Sequence, residues 1–273
     1  MHVIATRQFH NVLSSMARLS KVCVFKLDKD NLYFIATDTG VSGSSIWCQM
    51  ESRHFFEEYI LEGVTEQDPY IYLELQPGQM AQSLALLKSA KDSIRMVKVK
   101  LTRKHELPCL SFAIEMAANR QCVHDIPVKP VPRKDWPEFA QPDYDIVVGH
   151  FLSLHLPDVK KLKHIVERYR NLGPYVKFEA DQKGRLGLTL LSDRVTLSTY
   201  FKDLQVLKNP SAIDNEAEPV TINIELKKLA SLLGADHIGA KTCIANFVRE
   251  KLLHVSLVTE DVSLEIYLPG VQL

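Results

Sequence analysis

The chain has 273 residues, 46% hydrophobic and 24% charged, which is the make-up of one large folded domain or two of ordinary size and excludes a disordered or fibrous chain. Thirty-three lysines and arginines balance 33 aspartates and glutamates, so bulk charge speaks against a generic polyanion binder, and any contact with nucleic acid requires the basic groups to gather on one face. The five cysteines (Cys23, Cys48, Cys109, Cys122 and Cys243) form no C-x-x-C pair and are read as packing thiols of a reducing compartment; with no signal-peptide pattern and no apolar run of about 18 residues, an intracellular protein is expected.

From the N-terminus, Phe9, Val12, Leu13, Met16 and Leu19 recur at helical spacing, which predicts an amphipathic helix over Arg7 to Lys21 with Arg7, Asn11, Ser14 and Arg18 opposite. Strands are predicted at Val22 to Leu27, Leu32 to Thr37, Ser45 to Met50 and Tyr70 to Leu75. Pro77 opens a second helix, about Gly78 to Lys91, with Met80, Leu84 and Leu87 inward. Met96 to Leu101, Pro108 to Glu115 and Cys122 to Val128 read as three closing strands.

Four prolines then fall within Lys129 to Tyr144, and a linker over 130–146 is expected between domains at 1–129 and 147–273. Trp136 inside it reads as a packing anchor. The second half repeats the order of the first. Strand Phe151 to Leu156 leads through Pro157 into a helix to Asn171, with Val159, Leu162, Ile165, Val166 and Tyr169 on one face. Strands follow at Val176 to Ala180, Arg185 to Leu191, Val195 to Tyr200 and Val220 to Ile224. A short helix, Glu225 to Leu233, precedes strands Thr242 to Val248, Leu252 to Val258 and Val262 to Leu268. Two halves with one element order imply duplication, and so few helices favour antiparallel sheets in an α+β arrangement.

Motifs for chemistry are scarce. The sequence contains no phosphate-cradling glycine loop, no nucleophile elbow and no H-E-x-x-H. His124 and Asp125 are adjacent in a predicted strand and so point to opposite faces, which disqualifies them as a base and its orienting acid. No catalytic residue, metal site or cofactor is expected. What repeats is positive charge opposite the apolar stripes of the helices: Arg7 and Arg18 on the first, Lys160 on the third, flanked by Lys161, His164 and Arg168, Lys228 on the fourth, and Lys88 on the flank of the second. If those helices line one surface, these lysines and arginines are candidate contacts to phosphates without sequence preference.

Several segments carry a family resemblance: Leu19-Ser20-Lys21-Val22-Cys23, Ser45-Ile46-Trp47-Cys48, Leu61-Glu62-Gly63-Val64, Ile71-Tyr72-Leu73-Glu74-Leu75, Val123-His124-Asp125-Ile126-Pro127-Val128 running on to Trp136, Ile165-Val166-Glu167-Arg168, Tyr200-Phe201-Lys202-Asp203-Leu204 and Glu260-Asp261-Val262-Ser263-Leu264. In this order, over nearly the whole chain, they resemble the Hus subunits of the heterotrimeric checkpoint clamp, the nine-one-one ring, relatives of the PCNA sliding clamps. The resemblance implies a duplicated DNA-clamp fold in which two non-identical clamp subunits complete the ring and helices line its hole around duplex DNA. It further implies a clamp loader, contacts with checkpoint and repair proteins, and a nuclear protein that is cytoplasmic before assembly.

By position in the family pattern, the strand at Val123 to Val128 is expected to be an edge of the first domain and that at Val195 to Tyr200 an edge of the second. Val123, His124, Ile126, Val128, Val195, Leu197 and Tyr200 are therefore the candidate ring interfaces. One departure is expected: with only Met1 to Thr6 before the first helix, the strand that opens family members is shortened or missing. The alternatives are a homotrimeric replicative clamp and, in another class, a nuclease or hydrolase built on carboxylates with no sequence signature.

Overall fold

A computed structural model describes residues 1, 5–37, 43–89, 93–140, 151–192, 195–207, 218–235, 238–240 and 242–273. Two compact units account for the chain. The first comprises Met1–Ala36, Trp47–Ala140 and Glu260–Ser263, and the second comprises Thr37–Ile46, Gln141–Thr259 and Leu264–Leu273.

Unit 1 opens with α1 (Thr6–Leu19), whose Phe9, Val12, Leu13 and Met16 are all buried, so the apolar stripe read from the sequence is the packed face. The helix ends where Ser20 turns to extended backbone (φ −147°). Strands β1 (Cys23–Leu27), β2 (Asn31–Thr37), β3 (Ser45–Glu51), β4 (Ile71–Leu75) and the two-residue β8 (Lys129–Pro130) lie side by side in the order β3-β2-β1-β4-β8. A second sheet holds β5 (Ile94–Lys104), β6 (Leu107–Met116) and β7 (Arg120–Pro127), antiparallel and in sequence order. Phe9 ties the two sheets together: its ring lies 6.3 Å from Phe34 on β2, 6.3 Å from Phe112 on β6, and 6.1 Å from Phe55 on the short helix α2 (Ser52–Phe55).

Three details of unit 1 depart from the sequence reading. The second helix is broken into α3 (Pro77–Ser83) and α4 (Leu86–Ser89) at Leu84, whose ψ of 18° leaves the helical range. The tighter turn there keeps Met80, Leu84 and Leu87 all inside, each at 0% exposure. β5 runs on to Lys104 because His105 and Glu106, both at positive φ (47° and 68°), close a tight hairpin; without glycine or asparagine at those positions the turn carried no sequence signal. The first part of the 130–146 segment is a 3-10 turn, Arg133–Phe139, rather than extended chain. Trp136 anchors it as expected, stacking on Tyr72 at 4.8 Å and donating its indole N–H to Val131 O at 3.0 Å. Residues 141–146 lie outside the described residues.

Unit 2 contains β9 (Phe151–His155), α5 (Val159–Arg170), β10 (Tyr175–Ala180), β11 (Leu186–Leu191), β12 (Leu197–Phe201), β13 (Val206–Leu207), β14 (Val220–Glu225), α6 (Leu226–Leu233), β15 (Thr242–Val248), β16 (Leu252–Val258) and β17 (Val262–Pro269). One sheet runs β12-β11-β10-β14, and β13-β9-β15-β16-β17 lie side by side in another. Phe178 on β10 and Phe247 on β15 meet at 5.9 Å in its core. The turn between β10 and β11 is shaped by Asp181, whose Oδ1 accepts from Lys183 N (2.8 Å) and Arg185 N (3.0 Å). Gly184 in that turn has φ +74°, and a Cβ there would run into the Leu204 carbonyl oxygen.

Strand order carries the duplication. β3-β2-β1-β4 in unit 1 and β12-β11-β10-β14 in unit 2 have the same connectivity, as do β5-β6-β7 and β15-β16-β17. α1 corresponds to α5, and the broken α3 and α4 pair to α6; within each unit these helices pack against each other. β9 pairs with β15 ahead of α5. In unit 1 the N-terminal ammonium donates to Val97 O (2.7 Å) on β5, the counterpart of β15. Residues 2–4, on which the expected loss of the opening strand turns, lie outside the described residues.

Because Phe9 fills the junction of both unit 1 sheets, Phe9→Ala is expected to destabilise that unit by about 3–5 kcal/mol. Urea unfolding followed by Trp47 and Trp136 fluorescence measures this; a shift below about 1 kcal/mol contradicts the central placement of that ring.

Candidate nucleic-acid interface and partner edges

Helices α1, α3, α4, α5 and α6 together carry ten lysines and arginines and a single carboxylate, Glu167. A chain balanced at 33 against 33 therefore places almost none of its acid on these helices. Arg7 and Arg18 on α1, Lys88 on α4, and Lys160, Lys161 and Arg168 on α5 are all exposed, on faces opposite the buried stripes. No orienting carboxylate holds them in an ion pair among the described residues, which is how side chains that meet a polyanion through solvent are arranged.

Lys228 is a correction. Its side chain is 22% exposed and its Nζ lies 3.8 Å from Glu225, so it flanks the helix rather than crowning it. The stripe of α6 includes Leu232 as well as Leu226, Leu229 and Leu233, all buried. That fourth leucine rotates the free face toward Lys227, which is exposed. Lys227 and Arg170, the latter exposed at the end of α5, border an open depression of 470 Å³ with Gly173, Pro174, Tyr175, Glu225 and Leu226. Both lay inside helices already legible in the sequence; what could have found Lys227 is counting Leu232 into the apolar stripe, and for Arg170 its place in the last turn of α5.

The partner edges are strands at the ends of their sheets. β7 closes β5-β6-β7, and β12 closes β12-β11-β10-β14. On β7 the side chains alternate as a strand requires: Val123 is 53% exposed, while His124 is half-buried and Ile126 lies on the inward side. Ile126 (2% exposed) and Val128 (7%) turn their side chains into unit 1's own core, so only their main chain is on hand for a partner. On β12, Tyr200 is 69% exposed with its ring over Gly187, Leu197 is half-buried, and Val195 is exposed just before the strand begins. Asp125 faces away from His124 and lies 3.8 Å from Lys104, so the adjacent pair forms no dyad.

The family model described as Hus1-like protein matches residues 1–272. Checkpoint protein HUS1 of Homo sapiens is 32% identical over 271 residues, covering 96% of this chain and 94% of the relative. The Checkpoint protein Hus1-like of Drosophila melanogaster is 25% identical, with coverages of 97% and 95%, and Checkpoint protein hus1 of Schizosaccharomyces pombe is 22% identical, with 86% and 84%. The chain belongs to the Hus1-like family. Its fold is accordingly the duplicated α+β clamp fold, with antiparallel sheets and two helix positions per unit, and the family is one of scaffolds rather than enzymes.

In this Hus1-like chain the most cationic helix is held in place by a single carboxylate at its start. Asp158 Oδ1 accepts from Lys160 N (2.8 Å) and Lys161 N (3.2 Å), capping α5 directly beneath two of the exposed lysines. The backbone N–H of Lys161, then that of Lys160, holds the Asp158 carboxyl below its ordinary 3.8. A depressed carboxyl supports the folded state above its unfolded value, and that support is lost as pH falls through the lower folded value. The Lys160 and Lys161 amide resonances are therefore expected to titrate together with an inflection below 3.8, and to stop doing so in Asp158→Asn. An inflection at or above the ordinary value contradicts the cap.

Proposed function

We propose that this Hus1-like chain is one of three unlike subunits of a DNA-damage checkpoint clamp that closes round duplex DNA and carries checkpoint and repair proteins on its outside. The observation that carries the DNA-contacting part is the near absence of carboxylates from the helices of a chain whose charges otherwise cancel. Arg7, Arg18, Lys88, Lys160, Lys161, Arg168 and Lys227 then meet phosphates without reading bases, and the acidic groups lie elsewhere. The mechanism is topological. A closed ring stays on DNA because it encloses it, so each ionic contact can be weak and broken rapidly as the ring slides.

Ring closure in this reading uses the unpaired main-chain edges of β7 and β12, with Val123, His124, Val195, Leu197 and Tyr200 as the side chains on hand. Opening and loading fall to an ATP-driven clamp loader, the site of action is the nucleus, assembly begins in the cytoplasm, and the chain itself performs no catalysis. The domains in this reading are 1–129 and 147–273, with 130–146 between them.

Assembly and DNA contact are tested together. Co-expressed with two unlike clamp subunits, the chain is expected to enter a 1:1:1 complex by native mass spectrometry and to form no homotrimer alone; a homotrimer indicates the replicative type of clamp. For the assembled ring, Lys160→Ala is expected to weaken DNA binding equally across sequences and to reduce the slope of log K against log salt by about 1, with Lys227→Ala acting alike and Lys228→Ala less. A change in sequence preference overturns the non-specific contact.

A further inference from the structure

The strands that bury Phe25 and Phe34 against α1 carry a different set of side chains on their other face. Lys26 on β1 stands directly opposite Tyr33 on β2 and Tyr72 on β4 in the strand registers. Its ammonium lies 4.3 Å from the ring centre of Tyr70, 4.9 Å from Tyr33, 5.7 Å from Tyr72 and 5.8 Å from Trp47. The cluster continues outward: Tyr70 meets Tyr72 edge-on at 6.1 Å, and Trp136 stacks on Tyr72. Four rings thus enclose one cation, and Tyr70 leaves 37% of its surface open to solvent.

In this cluster the Tyr33 hydroxyl hydrogen-bonds with the Asp28 and Asn31 side chains, while the other polar groups are donors without acceptors. Among the described residues Lys26 makes no ion pair and no hydrogen bond, the Tyr70 and Tyr72 hydroxyls make none, and the buried indole N–H of Trp47 has no partner. The nearest carboxylates already hold partners, and Asp28, which also hydrogen-bonds Tyr33, attracts Lys26 without forming an ion pair with it. Asp28 accepts from the backbone of Asp30 (2.9 Å) and Asn31 (2.7 Å), Glu74 faces Lys129 at 3.8 Å, and Asp68 holds Arg133 at 2.7 Å. Burial pulls the Lys26 pKa down against the opposing attraction of Asp28, as expected of an ammonium stripped of part of its water.

We propose that this face is the docking site for an acidic peptide segment of a partner protein, whose carboxylate sits on the Lys26 ammonium while its apolar atoms cover the rings of Tyr70, Tyr72 and Trp136. Charge complementarity selects the occupant. The cage already holds a cation, which repels a basic segment, and a partly desolvated ammonium forms a stronger hydrogen bond to a carboxylate than one in bulk water does. The rings add contact area at little conformational cost, since tyrosine and tryptophan have few rotatable bonds to fix. This names the chemistry of one partner class for the scaffold of the preceding subsection and rests on that reading.

The test selects a random peptide library displayed on phage against the full chain and against its 1:1:1 ring, and counter-screens the clones on Lys26→Met, Lys26→Arg and Tyr70→Leu. The expected clones are rich in aspartate and glutamate. They lose about tenfold or more in affinity on Lys26→Met, lose affinity on Tyr70→Leu, and recover part of it on Lys26→Arg. Clones indifferent to both Lys26→Met and Tyr70→Leu, or sensitive clones that are neutral, proline-rich or basic, overturn the proposal. Circular dichroism checks that Lys26→Met is folded; if it is not, Tyr70→Leu alone decides between the same two outcomes. Failure of the ring to assemble with binding intact on the full chain counts against the clamp reading, whereas a normal ring lacking such clones counts against this site.

Discussion

A helix laid on a sheet offers one side to the core and leaves the other to whatever the molecule meets, and in this protein the second side is kept almost free of acid. The packing side is uncompromising: Phe9, Val12, Leu13 and Met16 on α1, and Leu226, Leu229, Leu232 and Leu233 on α6, are buried to within a few per cent. Such stripes fix the rotation of each helix about its own axis. Once that rotation is set, Arg7 and Arg18, Lys160 and Lys161, and Lys227 have only one direction in which to point.

Neutral composition is thereby reconciled with a cationic surface. The carboxylates are displaced into strands and loops, for example Glu57, Glu58, Glu62 and Glu66 between α2 and β4, and Asp125 and Glu115 on the hairpins of the second unit 1 sheet. The separation is by element type, so within each unit the helical cations stand apart from most of the acids although the chain carries no net charge. α5 shows the arrangement most clearly. Its one well-placed carboxylate outside the helix proper, Asp158, accepts from backbone N–H groups at the start while the Lys160 and Lys161 side chains stay exposed.

The sheets use the alternation of a strand for the same end. Consecutive residues Phe25 and Lys26, and Tyr33 and Phe34, send one member to the core and the other to the opposite face. One sheet therefore contributes both to the aromatic junction that ties α1 to it and, through β1, β2, β3 and β4, to the rings around an ammonium on the far side. The docked turn of Arg133–Phe139 completes that second face through Trp136, so a segment that reads as a spacer also contributes to a surface.

Much of this was legible in the sequence, because periods of 3.6 and 2 in the apolar residues report burial directly. The helix positions, the main strands, the repeated element order and the anchoring role of Trp136 were readable on that basis, and the segments from Leu19 to Leu264 pointed to the family. Tertiary structure decided what periodicity does not encode. Whether Lys227 or Lys228 faces out depended on a fourth buried leucine. Whether the side chains of Ile126 and Val128 lay open or buried depended on what packs against the sheet. The left-handed turn at His105 and Glu106 is imposed by the strands it joins, and the gathering of Lys26, Tyr33, Trp47, Tyr70 and Tyr72 arises from cross-strand register. Local pattern states which side of an element is apolar; only the packed chain states which neighbour lies there, since that is set by contacts between residues far apart in sequence.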